Sequence, residues 1–530
     1  MFDLLITNAR IVDGTGAPAW KGTVAVSDGR VAAVDADPRL AHAEAGEVVD
    51  AGGDVVAPGF IDVHSHADFT IQGSPAAESQ LAQGVTTVVT GNCGASTFPV
   101  RNLDLLRQAG AQFDAVFTGD WADTHGYASA TDARRPGVNV VLQLGHTTLR
   151  AHVLGMTNRA ATDDELATMA EEIRRAADQG VRGFSTGLVY APGSFASGYE
   201  LVVLAKAAAD AGLLYSTHMR NESGDLLEAV DEALLAARVG GASVEISHLK
   251  AMGPANHGLP LRALERIDAA NAAGFDVAAD VYPYTASSTT LTSRLPAFAM
   301  DGGAPALMAR LADPAERRRV AAGLASRFGR DVDPGGVVIA ALGPAAGDDF
   351  TWSTGSSLVD LGERLECSPA EAALRVLEAH RGAVAIVNHA MAESDVTAVL
   401  RHPLVSVASD GWTLGINGSG RPHPRSFGTF ARVLGEYVRE RGVLTLEDAV
   451  RKMTSLPASR IGLSARGVIA PGNVADLVRF DPQQITDRAD FAEPKRLATG
   501  VADVWIAGSR AVGGGRVLPQ RHGAVLHEPL

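Results

Sequence analysis

The alternation of apolar and polar positions divides the chain into three stretches of different texture. Residues 1–58 carry short apolar or alternating runs, Leu4-Leu5-Ile6, Arg10-Ile11-Val12, Val24-Ala25-Val26 and Val31-Ala32-Ala33-Val34, set apart by turn pairs such as Asp13-Gly14 and Asp28-Gly29. Runs of this length between such pairs predict β-strands, and no helix of useful length fits among them. From residue 59 apolar runs of four to six residues alternate with Ala-rich helical stretches. Strands are predicted at Thr86–Thr90, Val138–Leu142, Val244–Ser247, Asp276–Val281, Ala383–Val387 and Val405–Ser409. Helices are predicted at Thr162–Gln179, Leu201–Ala211, Asp225–Val239 and Leu261–Ala273. From about residue 466 the texture returns to β, at Ala475–Phe480 and Val501–Ile506.

A strand–helix unit repeated about eight times over roughly 400 residues predicts an α/β fold, a (β/α)8 barrel of the TIM type. The stretch from about 297 to 380 is too long for one strand–helix step and reads as a mostly helical insertion. The expected organisation is a barrel at 59–465 and a small β-sandwich shared by both termini, 1–58 and 466–530, because a barrel brings its own ends together.

Composition narrows the function classes. A net charge of −15 argues against a nucleic-acid partner. No run of 18 apolar residues exists, so no transmembrane helix and no membrane partner are expected. The opening MFDLLITNARIVDG lacks the basic region and apolar core of a signal peptide, which makes a cytoplasmic enzyme the expectation. The two cysteines, Cys93 and Cys367, cannot make a disulfide framework.

The chemistry gathers at strand ends. The run Val55–Val63 closes in His64-Ser65-His66 after a Pro-Gly turn. On a strand, residues i and i+2 point the same way, so both imidazoles can face one metal ion at a barrel mouth. Leu214–Thr217 ends in His218 and Val244–Ser247 in His248, and four imidazoles at converging strand ends suit zinc. Leu404–Ser409 ends in Asp410, which could ligate the metal and take a proton from attacking water; in isolation it would read as an ordinary Asp-Gly turn. Cys93 follows the strand ending at Thr90, and zinc binds thiolate well. The only lysine between His66 and His218 is Lys206, inside a helical stretch, so Cys93 is the better bridge or ligand where a carboxylated lysine would otherwise serve.

At these motifs the sequence resembles the D-aminoacylase (N-acyl-D-amino-acid deacylase) family of the metal-dependent amidohydrolases. The resemblance runs through APGFIDVHSHAD at 57–68, GVTTVVTGNCG at 84–94, GFSTGLVYAPG at 183–193, STHMRNE at 216–222, SHLKAMG at 247–253, DVYPYTASST at 280–289, SDG at 409–411 and RPHPRSFGTFARVLG at 421–435. It implies a tightly held zinc on Cys93, His218 and His248, and a second, weaker position at His64, His66 and Asp410. It implies Asp410 as general base, and Lys250, Tyr282, Ser288 and Arg421 as the groups that hold a substrate α-carboxylate. Tyr284 and Ser287 are close rivals of Tyr282 and Ser288. Arg294 could pair with an acidic substrate side chain or lie on the surface. His389 and His423 read as structural or pocket-lining. The implied reaction is zinc-dependent hydrolysis of N-acyl-D-amino acids, and the D configuration comes from the resemblance alone. The alternatives are an amidohydrolase acting on cyclic amides, as hydantoinases do, or on small peptides, and a metal-binding protein on an inactive barrel.

Overall fold

The computed structural model describes residues 1–37, 39–113, 115–345 and 350–527. Eight parallel strands form the central sheet: β1 (Phe60–Asp62), β2 (Val85–Thr90), β3 (Asn139–Gly145), β4 (Gly183–Gly187), β5 (Leu214–His218), β6 (Val244–Ile246), β7 (Val277–Val281) and β8 (Val405–Val407). They pair in sequence order, and every residue in them is buried. β2 shows why: Val-Thr-Thr-Val-Val-Thr is wholly β-branched, the composition of a strand covered on both faces. The ring closes between β8 and β1 through a single bridge, Ser65 to Gly411, beside the hydrogen bonds His66 N–H to Gly411 O (2.7 Å) and Asp410 N–H to His64 O (2.8 Å).

The helices that return the chain between strands are set by ordinary signals. Asp163–Asp178 begins with a complete capping box, Thr162 with Glu165, and buries Leu166, Met169, Ile173 and Ala176 on one face. Among the described residues no helix is long and apolar enough to cross a membrane.

Both ends of the chain join one nine-stranded sheet. Leu477–Phe480 pairs with Val55–Pro58, which pairs in turn with Phe2–Ile11. Its core includes Leu4, Ile6, Val24, Val56, Leu477 and Trp505. Since Val55–Pro58 runs into β1, this sheet anchors the strand that carries His64 and His66.

One strand is placed differently from the expectation. The apolar run predicted as a barrel strand at Ala383–Val387 forms Val384–His389, which pairs antiparallel with Ala286–Thr290 and Val337–Leu342 outside the barrel. A short buried run looks the same under barrel helices or under an inserted unit's own helices, and periodicity cannot separate the two. The inserted unit therefore starts before 297, runs past 380 and carries a sheet as well as helices. It has its own apolar core, including Leu291, Leu307, Val320, Leu358, Leu374 and Ile386.

Candidate active site

The C-terminal ends of five barrel strands bring one set of donors together. His64 and His66 follow β1, Cys93 follows β2, His218 ends β5, His248 follows β6 and Asp410 follows β8. Cys93, His248 and Asp410 turn inward through left-handed backbone, with φ of 54°, 36° and 50°. For non-glycine residues this conformation costs about 1–3 kcal/mol each, a strain tolerated where the side chain's direction matters.

The donor atoms form a continuous series. His66 Nε2 lies 3.0 Å from Asp410 Oδ1, and His64 Nε2 lies 3.5 Å from the same oxygen. His64 Nε2 is 3.2 Å from Cys93 Sγ, which is 3.3 Å from His248 Nε2, which is 2.9 Å from His218 Nδ1. The edges of a tetrahedral nitrogen–sulfur zinc shell are about 3.4–3.6 Å, given metal–ligand bonds of 2.0–2.3 Å. The donor set fits such an ion. His64, Cys93, His248 and Asp410 gather around one point, and Cys93 stands between the His64–His66–Asp410 side and the His218–His248 side.

Protonation states agree with this use. Burial pushes His64 down to about 4 and lowers His66, His248 and, most strongly, His218, so the four imidazoles are neutral and have lone pairs to give. Burial raises the Cys93 thiol well above its usual range; a bound cation reverses that. For Asp410 burial pushes upward, but the Arg425 guanidinium, with His64 and His66, holds the carboxyl well below its usual range.

Outer groups aim the ligands. Asp280 Oδ2 lies 3.2 Å from His64 Nδ1 and its Oδ1 accepts the His248 N–H at 2.8 Å. Glu222 Oε1 lies 3.0 Å from His248 Nδ1, and Lys250 Nζ donates to the same oxygen at 2.6 Å. These contacts hold the Nδ1 edges of both rings and leave His64 Nε2 and His248 Nε2 facing inward, with Lys250 Nζ also 2.8 Å from His248 Nδ1. Neither Asp280 nor Glu222 was expected from the sequence. Each lies inside a quoted motif, and Asp280 sits two residues before Tyr282 on β7, the one available signal.

The groups expected to hold a carboxylate are only partly together. Lys250 is buried beside His248, and Tyr282 is buried with its ring 5.7 Å from Lys250 Nζ and 5.0 Å from the Arg425 guanidinium carbon. Ser288 lies on the first strand of the inserted sheet, and its carbonyl accepts from Arg425 Nη2 at 3.2 Å. The rivals face elsewhere: Tyr284 packs against His423 and Phe491, and Ser287 Oγ meets Met252 Sδ. Arg421 stands apart from Lys250 and Tyr282. It is exposed, its guanidinium lies against Gly355, and its backbone N–H binds Ala340 O. The arginine at the site is Arg425, which is 2% exposed and donates Nη1 to Asp410 Oδ2 at 2.7 Å. The sequence places two arginines four residues apart in one motif, and only the helix that starts at Arg425 turns one of them inward.

Arg294 is buried rather than on the surface. Its Nη1 meets only Met252 Sδ at 3.9 Å, its Nε has no partner, and among the described residues no carboxylate lies within ion-pair distance. Ser287 and Asn388 face the same sulfur, which places Arg294 against the inserted sheet. Of the two remaining histidines, His423 is held by Ala286 O and the Arg425 N–H, and His389 is exposed beside Phe491. Lys206 pairs with Asp210 on the outside of its helix, 62% exposed, and takes no part.

Comparison with known proteins agrees with this geometry. Residues 47–512 match the family described as the amidohydrolase family. The chain is 36% identical to an N-acyl-D-glutamate deacylase of Alcaligenes xylosoxydans xylosoxydans, over 96% of this chain and 93% of that protein. It is 36% identical to an N-acyl-D-aspartate deacylase of the same organism, over 99% of this chain and 95% of that one. Its fold matches the crystal structure of an N-acyl-D-glutamate deacylase from Bordetella bronchiseptica, complexed with zinc and a phosphonate inhibitor. The TM-score there is 0.83 at 36% identity, covering 99% of this chain and all of the other.

Proposed function

We propose, from the premise that this chain belongs to the amidohydrolase family, that it hydrolyses N-acyl-D-amino acids with acidic side chains to a carboxylate and the free D-amino acid. The observation that carries the hydrolytic reading is the convergence of Cys93, His64, His248 and Asp410 on one buried point at the barrel mouth. Cys93, His218 and His248 would hold a tightly bound zinc, and His64, His66 and Asp410 a second, weaker one. Zinc bound there supplies Lewis-acid polarisation of the amide carbonyl and acidifies the attacking water.

The chain's own groups do the rest. Asp410, kept ionised by Arg425, removes the proton of the attacking water through Oδ1, the oxygen facing His64 and His66. It then delivers that proton to the amide nitrogen, so that the leaving group departs as a neutral amine. Lys250, Arg425, Tyr282 and Ser288 receive the α-carboxylate, the two cations pairing with it and the tyrosine ring closing the space between them. Arg294 receives the side-chain carboxylate. A buried guanidinium with no counter-ion is costly, and an acidic substrate provides the missing partner.

The cyclic-amide alternative is less well supported. Lys206 is remote from the site, and three cations, Lys250, Arg294 and Arg425, surround it, which favours an open-chain dicarboxylate over an uncharged ring. The test is a panel of N-acetyl-D- and N-acetyl-L-amino acids with zinc-loaded enzyme. Release of D-glutamate or D-aspartate above all others is expected, and turnover confined to L-substrates or to cyclic amides would overturn the reading.

A further inference from the structure

We propose that a cavity of about 30 Å³, walled by Phe113, Trp412, Leu414, Ala340, Ala341 and Ala385, is the acyl subsite, and that it limits the substrate to formyl or acetyl groups. The inference rests on the substrate class proposed above and goes beyond it, because the two charged arms of such a substrate leave the acyl arm unassigned. The α-carboxylate and the side-chain carboxylate already have cations. The third arm is uncharged and needs an apolar wall beside the base.

This cavity has that position. It touches Arg425 and Ser288, and Arg425 is bonded to Asp410. On its other side Trp412 stacks on His66, with ring centroids 5.2 Å apart. Phe113 stacks on Trp412 at 4.0 Å and packs against Ala286, Ala340, Ala341, Ala385 and Val387 of the inserted sheet. The wall is thus braced from the metal donors at one end to the inserted unit at the other. The space is small, on the order of a few water-sized groups, and suits a methyl group better than a long chain. The alanines matter because any larger residue would fill what remains.

The experiment compares kcat/KM for N-formyl-, N-acetyl-, N-butanoyl- and N-hexanoyl-D-glutamate in the full-length enzyme, Ala385→Val and Leu414→Ala. In the unmodified enzyme kcat/KM is expected to fall at least about a hundredfold from acetyl to hexanoyl. Ala385→Val should raise the formyl-to-acetyl ratio at least about tenfold, and Leu414→Ala should lower the acetyl-to-butanoyl ratio by a similar factor. Each ratio is internal to one protein, so a poorly folded preparation scales all substrates alike and leaves it intact. A flat acyl profile in the active enzyme, or active variants whose acyl ratios equal those of the unmodified enzyme, would overturn the acyl subsite and leave the substrate class standing. An enzyme inactive on the whole series but active on other amides would overturn the substrate class, and the subsite with it.

Discussion

Arg294 keeps a positive charge in a place where, among the described residues, no carboxylate pairs with it. Two consequences oppose each other. Replacing it with methionine removes an uncompensated buried charge, so thermal unfolding of Arg294→Met should move upward, by about 1 kcal/mol or more in stability. The same change leaves a substrate's side-chain carboxylate unpaired, so kcat/KM for N-acetyl-D-glutamate should fall about a hundredfold or more. A variant that lost both stability and activity would count against the assignment. The two neighbouring arginines separate as cleanly. Arg425→Ala frees a buried carboxylate from its only guanidinium and should reduce kcat/KM by at least about a hundredfold, whereas Arg421→Ala should stay within about threefold, because an exposed side chain here loses little. Steady-state kinetics on the two variants decide the matter. At this scale the sequence was legible where a donor ends or closely follows a strand, as His64, His66, Cys93, His218, His248 and Asp410 do. It was opaque for Arg425, Glu222 and Asp280, whose roles depend on which neighbours the folded barrel brings beside them.

At the scale of the element, the ends of strands are shaped by their neighbours. A Cβ at Gly187, the last residue of β4, would stand 1.9 Å from the Cys93 carbonyl oxygen. Gly187→Ala must therefore push the Cys93 turn out of place, and the variant is expected to bind zinc at least about tenfold more weakly than the unmodified chain, read by metal content after dialysis. Under the barrel, the helix Leu446–Met453 places Lys452 in a fully buried position, where Nζ donates to the carbonyls of His402 and Val405. Burial lowers this amine to about 8 from an ordinary 10.5. The folded pKa lies below the unfolded one, so the unfolded state binds more protons between those values and stability rises with pH from about 8 to 10.5. The span amounts to up to about 3 kcal/mol. Denaturant unfolding across that window should show a smaller rise in Lys452→Met than in the parent, and identical slopes would refute the buried amine. Elements as such were readable because strand and helix periods differ. The membership of Val384–His389 was not, since its apolar run carries no mark of the sheet it joins.

The whole molecule is a ring with an inserted unit hung between β7 and β8, next to the place where the ring closes. That closure is one bridge from Ser65 to Gly411 with two flanking backbone hydrogen bonds and the Ser409–Asp62 pair, and His64, His66 and Asp410 sit on its two sides. An ion held by these residues spans the closure. Removing zinc with a chelator should therefore speed hydrogen exchange at the His66 and Asp410 amides ahead of those in β4 and β5, and equal protection with and without metal would disprove the link. The overall architecture could be read from strand–helix repetition and from β texture at both ends, but the position of the closing joint is a property of the closed ring and is written in no local pattern.

That joint gives the enzyme a division of labour. The parts that would sort substrates, Arg294, Ser288 and the alanines of the inserted sheet, lie on a unit that enters and leaves the chain on one side of the joint. They can be remodelled like the jaws of a vice without disturbing the screw that holds it shut. A change at the joint itself has no such freedom, because the reagent and the fastener are the same few residues.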